Sequence, residues 1–399
     1  MRKNALLIIS CLLSLAVTGC FKDNGADPVV ITSEDDVLAG EVVTVGEESL
    51  QSFYKLFVLN EGNFNKNEAS LDFFRFTDGK YVRNAFSQMN PIVTGGLGSV
   101  ANDFQLFYNT AWITVNQSNL VEVIHAKNEK HVTSFEIPSP REIAFDGSYA
   151  YVTSYAGAYY GGEDRLGALY RINLATEKVD GHIEVGYQPE GVTVCGDYVF
   201  VANSGGFHTG YDNRVSVIDR ASFTVIRQIE VAPNLKEIVS DGQRYLWVQS
   251  QGNWGDIHSG IYQIDAESFT VVPQTNDLKN VRASVTYFDP IGNYFYVIGT
   301  EDEFDWGKTN KDYTLWSIHA GSGKVQSKAF SADMRRQIST PYGMAIDPIQ
   351  GVLYITDSGN GTNPGTVSAF DSDQKMKWTR TATAGFFPGH LALYYPYRD

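Results

Sequence analysis

The residues best suited to bind a ligand are aromatic side chains in segments rich in glycine and asparagine. They comprise Phe64, Tyr155, Tyr160, Phe207, Tyr211, Trp254 and Trp306, with His208 and His258 beside them. Rings in such segments have few apolar sequence neighbours with which to form a core. Ring faces beside amide and backbone donors suit a large, flat, amide-rich ligand. The alternative is that each ring packs on an adjacent loop and stiffens it.

These loops belong to a unit that recurs seven times along the chain. Each unit has an apolar run that ends in a small polar residue, at residues 56–60, 112–116, 150–154, 200–203, 246–250, 296–300 and 353–357. In the unit that opens near Pro189, four short β-type runs are separated by two tight turns and one long loop. Four antiparallel strands joined in this way form one propeller blade. The sequence therefore predicts an all-β fold, a seven-bladed β-propeller.

The two ends of the repeat are incomplete in complementary ways. The first unit begins near Tyr54 with the second strand type, whereas the chain finishes at 388–394 with the first type. Pairing these strands would complete blade one and remove open sheet edges. We therefore predict that strands from both termini close blade one, with 389–394 beside 55–60. A two-sheet sandwich is the alternative.

A propeller places the loops after the second strand and the connections between blades on one face. We call the strands of a blade A to D and this surface the loop face. The residues that open the A strands add polar groups near the central channel: Arg141, Glu190, Lys236, Arg282, Tyr342 and His390. We predict that all of these except Lys236 contribute to ligand binding. The alternative for the charged ones is ion pairing between blades.

Composition limits the class of protein. The chain has 399 residues, 43% of them hydrophobic and 13% aromatic, with 37 glycines and a net charge of −15. This excludes a disordered or collagen-like chain and disfavours a helical bundle. Nucleic acid is not expected as a partner, because binding it requires a basic surface.

Motifs for catalysis are missing from the sequence. It has no Gly-x-Ser-x-Gly, no His-Glu-x-x-His and no phosphate-binding Gly-x-x-x-x-Gly-Lys-Ser/Thr. We expect no enzyme activity, no cofactor and no metal site. A calcium cage of Glu61, Asn116, Asn203 and Asp357 is an alternative. These residues also fit simple strand termination, which we favour.

The N-terminal sequence has the features of a targeting signal. Arg2 and Lys3 precede an apolar run from Ala5 to Val17, which is too short to span a membrane. The following Thr18-Gly19-Cys20 resembles the lipobox of bacterial lipoproteins. We predict a signal peptide at 1–19, lipidated Cys20 with a tether at 20–53, and the propeller at 54–399. Within the tether, 42–45 has the character of a short added strand.

The repeat as a whole resembles the YncE-like, surface-layer-type seven-bladed propellers, over about residues 54–395. The stretch FVLNEGN at 57–63, with ASLDF at 69–73, is similar to the opening of Bacteroidetes propeller lipoproteins of that group. Among them the chain most resembles the BtuG-like surface lipoproteins, which bind cobalamin (vitamin B12).

The resemblance implies an outer-membrane, lipid-anchored protein exposed at the cell surface. It would hold cobalamin or a related corrinoid as a ligand and pass it to a TonB-dependent transporter, contacting the membrane only through its lipid. A calcium-dependent lactonase-like hydrolase and a surface adhesion or protein-interaction propeller remain alternatives. An oligosaccharide would also suit an aromatic, amide-rich surface.

Overall fold

Strands that are consecutive in the sequence pair with one another to form separate antiparallel sheets. The structure, a computed structural model, describes residues 38, 40–43, 54–157, 165–208, 210–273, 277–301 and 312–395. Within these ranges seven sheets form a ring, which confirms the predicted seven-bladed β-propeller. None of the helices in the described ranges is long and apolar enough to cross a membrane.

The strand bounds are as follows. Blade 1 contains β1 (Glu41–Val42), β2 (Lys55–Asn60), β3 (Ser70–Arg75), β4 (Lys80–Val82) and the last strand, β29 (Pro388–Tyr394). Blade 2 contains β5 (Ala101–Phe107), β6 (Thr110–Val115), β7 (Leu120–His125) and β8 (His131–Glu136). Blade 3 contains β9 (Pro140–Phe145), β10 (Tyr149–Ser154), β11 (Ala168–Asn173) and β12 (Lys178–Glu184). Blade 4 contains β13 (Pro189–Cys195), β14 (Tyr198–Asn203), β15 (Arg214–Asp219) and β16 (Thr224–Glu230).

The remaining blades have the same order. Blade 5 contains β17 (Leu235–Ser240), β18 (Tyr245–Ser250), β19 (Gly260–Asp265) and β20 (Thr270–Val271). Blade 6 contains β21 (Val281–Asp289), β22 (Tyr294–Glu301), β23 (Thr314–His319) and β24 (Val325–Ala329). Blade 7 contains β25 (Pro341–Asp347), β26 (Val352–Asp357), β27 (Thr366–Phe370) and β28 (Ala382–Thr383). The helices α1 (Ala85–Met89) and α2 (Ala332–Gln337) and a 3-10 turn (Asp277–Asn280) lie between blades.

Blade 1 is closed by both ends of the chain, as predicted. Strand β29 pairs antiparallel with β2, with Leu393 opposite Leu56 and Leu391 opposite Val58. The two-residue strand β1 lies outside β4, where Glu41 pairs with Tyr81. The added strand expected at 42–45 is therefore at Glu41–Val42, within the segment that the sequence assigned to the tether.

The apolar residues form seven clusters, one at each junction between neighbouring blades. At the junction of blades 4 and 5, for example, Phe200 and Val217 pack against Leu246 and Ile264. The second strands are almost entirely buried, whereas outer strands such as β16 are mostly exposed. Full burial of one such side chain contributes about 1.5–3 kcal/mol. The blades are thus held together by apolar packing, and the channel and loop face are left for polar residues.

Candidate functional site

Every A strand contains a β-bulge near its first residues. In β9, β13 and β17, two residues oppose a single residue of the B strand, and the other four A strands show the same register shift. A bulge re-aims the side chains around it. Because the start of an A strand pairs with the end of a B strand, these bulges lie at the loop face. We call the ring that they form the channel mouth.

The bulges bring most of the predicted A-strand residues to the channel mouth. Arg141, Glu190, Lys236, Arg282 and Tyr342 are each the second residue of their strand, and His390 is the third of β29. Third residues that the sequence did not single out join them, namely Asp103, Glu142 and Glu237. A strict two-residue alternation would direct Glu142 away from Arg141, so the sequence pattern alone could not find it.

Arg141, Tyr155 and Glu190 form one cluster across blades 3 and 4. The Arg141 guanidinium donates through Nε and Nη2 to Glu190 Oε2, at 2.8 and 2.7 Å. The Tyr155 hydroxyl donates to Glu190 Oε1, and the Arg141 guanidinium carbon lies 4.9 Å from the centre of the Tyr155 ring. Tyr155 is only 6% exposed. Here the packing alternative accounts for the ring, which braces Arg141 instead of standing open to a ligand.

Two further contacts link blades at the channel mouth. The Tyr342 hydroxyl donates to Glu61 Oε2 at 2.9 Å. The Arg282 guanidinium carbon lies 4.8 Å from the centre of the Trp254 ring, within cation–π range. Each pair joins an A-strand residue to a loop of a neighbouring blade. These contacts therefore hold the Tyr342 and Arg282 side chains in place in the absence of a ligand.

Asp103, Glu142 and Glu237 at the channel mouth have raised pKa values. Burial raises the pKa of Asp103 to about 6 and that of Glu237 to about 7, and the neighbouring carboxylates raise the latter further. Burial, followed by the charges of Glu237, Asp103 and Glu190, raises the pKa of Glu142 well above its ordinary value. These interactions place carboxyl groups of four blades around one space.

His390 lies against Asp103 but is not a charged partner for it. Its Nδ1 is 3.6 Å from Asp103 Oδ1. Burial and the nearby charges of Lys236 and Arg141 lower the pKa of His390 to about 4. The imidazole is therefore neutral at pH 7.

Three aromatic rings stand exposed on the loop face, on three different blades. Phe64 is 43% exposed, Phe207 39% and Trp254 50%. Trp254 has φ of +57°, and the turn around it is held by Asn253, whose Oδ1 accepts from the N–H groups of Gly255 and Ile257 at 2.9 Å. The loop geometry thus holds the indole in place without burying it.

The loops around Phe64 and Phe207 are also braced. Asn65, which follows Phe64, exchanges two hydrogen bonds with the side chain of Gln117 in blade 2. The Phe207 N–H donates to Gln188 Oε1 at 2.7 Å. Exposed rings on preformed loops can bind a flat ligand with little ordering of the protein.

His208 is placed to donate a hydrogen bond. Its ring stacks on Tyr187 with centroids 4.2 Å apart, and its Nδ1 accepts from the N–H of Gly210 at 3.3 Å. The neutral ring therefore carries its proton on Nε2. His258 is exposed in the Trp254 loop, and Tyr211 lies in the His208 loop with φ of +53°. Tyr160, Trp306 and Cys20 lie outside the described residues.

The four candidate calcium ligands differ in their contacts. Glu61 and Asp357 accept hydrogen bonds within the protein, whereas the buried Oδ1 atoms of Asn116 and Asn203 have no hydrogen-bond partner among the described residues. Asp357 accepts from the N–H groups of Ser339, Thr340 and Gly359. The Asn203 amide donates to the carbonyl of Arg214 at 2.7 Å. Within the described ranges, no group of three or more His, Cys, Asp or Glu residues is arranged to hold a metal ion.

Several solved propellers share this fold at low sequence identity. A functionally unknown protein from Desulfotomaculum acetoxidans is 14% identical, over 86% of this chain and 99% of its own, with a TM-score of 0.59. The hydrazine synthase of Kuenenia stuttgartiensis is 18% identical over 71% and 85%, with a TM-score of 0.54. A quinonprotein alcohol dehydrogenase-like protein from Bacteroides thetaiotaomicron is 12% identical over 86% and 79%, with a TM-score of 0.54. At these identities the likeness concerns the fold alone.

The sequence has no match among curated proteins. Residues 54–390 do match a family, described as Domain of unknown function (DUF5074). The match begins immediately before β2 and ends within β29, so it includes the A strands of blades 2 to 7 and the first residues of β29. The chain therefore belongs to the DUF5074 family.

Proposed function

We propose that this protein captures cobalamin or a related corrinoid on its loop face and passes it to a TonB-dependent outer-membrane transporter. It acts as a binding protein, without catalysis. The observation that carries the proposal is the set of exposed rings, Phe64, Phe207 and Trp254, on braced loops around a polar channel mouth. The sequence resemblance to BtuG-like lipoproteins supports the identity of the ligand.

The surface suits the chemistry of a corrinoid. The corrinoid macrocycle is flat and apolar, and the edge of the macrocycle carries many primary amides. Exposed indole and phenyl rings can cover the macrocycle. The His208 Nε2–H, loop N–H groups and mouth carboxyl groups can pair with the amides. The surface therefore offers both apolar area and orienting hydrogen bonds.

The proposal places the protein at the outer membrane. Cys20 would carry the lipid, and the cell surface is where a capture protein meets its ligand. One lipid-modified terminus would keep the propeller near the transporter. The sequence features behind this step are the Thr18-Gly19-Cys20 segment and the short apolar run before it.

The test is a corrinoid titration of Trp254→Ala and Phe207→Ala variants. Loss of an anchoring ring costs about 2 kcal/mol, so we expect the Kd to rise about 30-fold for Trp254→Ala. The matched control is Tyr108→Ala, because Tyr108 is 64% exposed in the β5–β6 turn on the opposite face. Its Kd should equal that of the wild type.

A chelator arm separates the proposal from a calcium-dependent hydrolase. Corrinoid binding should persist in chelator, whereas the hydrolase alternative requires a loss of activity. Failure of the wild-type protein to bind any corrinoid would refute the ligand assignment. Equal binding by the Trp254, Phe207 and Tyr108 variants would refute the loop face as the site.

A further inference from the structure

Carboxyl groups outnumber cations around the channel mouth. The carboxyl groups that face it are Glu61, Asp103, Glu142, Glu190 and Glu237. The cations that interact with them are Arg141 and Lys236, while His390 is neutral. The Arg141 charge is already neutralised by Glu190. Lys236 interacts with Glu61, Glu142 and Glu237, so the carboxyl groups still exceed the cations.

Two of these carboxyl groups have no partner in the described part of the chain. Glu142 and Glu237, in β9 and β17, form no side-chain hydrogen bond or ion pair there. Both are partly exposed, so a ligand at the channel mouth can reach them. By contrast, Glu61 accepts from Tyr342, and Asp103 Oδ2 accepts from the Ile143 N–H at 2.8 Å. The open accepting capacity of the mouth is thus concentrated at Glu142 and Glu237.

The charge imbalance has a direct consequence for ligands. After burial, which is the largest cause, the charges of neighbouring carboxylates raise the pKa values of Glu142 and Glu237. An approaching anion would meet the same repulsion. A neutral amide can donate N–H groups to the carboxyl oxygens without adding negative charge. Like charges brought together at an interface weaken binding strongly.

We propose that Glu142 and Glu237 determine the charge class of the ligand. The channel mouth accepts a ligand edge of neutral carboxamides or cationic groups, and it rejects an edge of carboxylates. The inference rests on the proposed function, because it concerns the same face and the same binding event.

The experiment compares two ligands that differ only in charge. One is a corrinoid with intact side-chain amides, and the other is the same corrinoid with those amides hydrolysed to carboxylates. At pH 7.5 the wild-type protein should bind the intact ligand at least about tenfold more tightly. The double variant Glu142→Gln/Glu237→Gln should reduce this ratio about tenfold, mainly through better binding of the carboxylate ligand.

The control changes the total charge equally at the opposite face. Glu177 and Glu267 are exposed in the turns before the outer strands of the same two blades, 3 and 5. Glu177→Gln/Glu267→Gln should keep the wild-type ratio. An equal loss of discrimination in the control would assign the effect to overall charge and overturn the proposal.

The pH profile gives a second readout. Free carboxylates of the ligand remain largely ionised above pH ~5. Asp103 and Glu237, with pKa values raised to about 6 and about 7, lose protons between pH 5.5 and 8. Discrimination should therefore grow with pH in the wild type and much less in the Glu142→Gln/Glu237→Gln variant. Equal affinity of the wild type for both ligands would overturn the inference while leaving the proposed function standing. Failure of both ligands to bind would overturn the proposed function and the inference with it.

Discussion

At the scale of single residues, the same carboxylate has different roles at neighbouring positions. Glu190 holds Arg141 and Tyr155, so its charge is balanced within the protein. Glu142 and Glu237 face the same mouth without a partner among the described residues, and their raised pKa values measure the cost of ionising them there. Burial alone does not distinguish Glu190 from Glu142 and Glu237. The difference is that Glu190 has an ion-pair partner.

The pH dependence of stability follows from Glu237. Its pKa rises from 4.5 to about 7 on folding, so the stabilisation present below pH ~4.5 is lost as the pH rises through about 7. Glu237→Gln should therefore be more stable than the wild type at pH 8, and this advantage should shrink towards pH 5. Because solvent screens the charge of the partly exposed Glu237, we expect a difference on the order of 1 kcal/mol in the free energy of unfolding. This difference corresponds to about 2 °C in Tm.

Thermal unfolding at pH 5 and pH 8 checks this expectation, with Glu267→Gln as the exposed control. The control should show the wild-type change in Tm between the two pH values. A Glu237→Gln protein whose Tm follows the wild type across this range would contradict the assignment.

At the scale of elements, hydroxyl groups of the B strands hold the bulged A strands in place. The Thr153 hydroxyl donates to the carbonyl of Glu190 in the next blade at 2.6 Å and accepts from the Glu142 N–H at 3.0 Å. Thr114 and Thr356 donate to the next A strand in the same way, also at 2.6 Å. The buried Thr153 hydroxyl therefore pairs with a backbone N–H of the bulge in its own blade and with a carbonyl of the next blade.

Replacing this hydroxyl should destabilise the protein without changing side-chain size. Thr153→Val leaves the Glu142 N–H and the Glu190 carbonyl without this partner in a buried position. We expect a loss of about 1–3 kcal/mol in the free energy of unfolding, measured in urea. Thr224→Val, on the exposed outer strand β16, is the control and should change stability by less than about 0.5 kcal/mol. Equal unfolding midpoints for the two variants would show that the bulge does not depend on Thr153.

At the scale of the whole molecule, the ring is closed by strands from the two ends of the described chain. The β2–β29 pairing joins residues more than 300 positions apart and completes the ring. The segment before it adds β1 to blade 1, where the Arg380 guanidinium donates to the Val42 carbonyl at 3.0 Å and so fastens this strand to blade 7. The short described segment at 40–43 is thus attached to blades 1 and 7.

Membrane attachment should depend on Cys20. In the proposed lipoprotein the Cys20 thiol carries the lipid, and a single-residue change removes the acceptor. Cys20→Ala should leave the membrane fraction, or remain as an uncleaved precursor. The check is fractionation with detergent partitioning of the full-length protein, with Cys195→Ala as the control, because Cys195 is buried in the propeller. Unchanged partitioning of Cys20→Ala would refute lipidation at this position.

The sequence by itself determined the architecture. Local signals mark the strands: apolar runs of about five residues, Pro or Asn at the start of most A strands, and Asp-Gly or Gly-Asp at three of the A–B turns. The missing first strand and the surplus last strand implied the closure, which the pairing of β2 and β29 confirms. These local signals can be recognised in the sequence because six of the seven blades are made of consecutive strands, and blade 1 lacks only the strand that β29 supplies.

Only the tertiary structure decided which residues meet at the channel mouth. Arg141 and Glu142 are adjacent in sequence, and the two-residue period of a strand would place them on opposite sides. The bulge of β9 breaks that period, and both residues interact electrostatically with ionisable groups of other blades. Likewise, Tyr155 and Trp254 both follow B strands in glycine-rich loops, yet one is buried under Arg141 and the other stands open. Pairing across blades depends on the curvature of the ring, which no local sequence signal specifies.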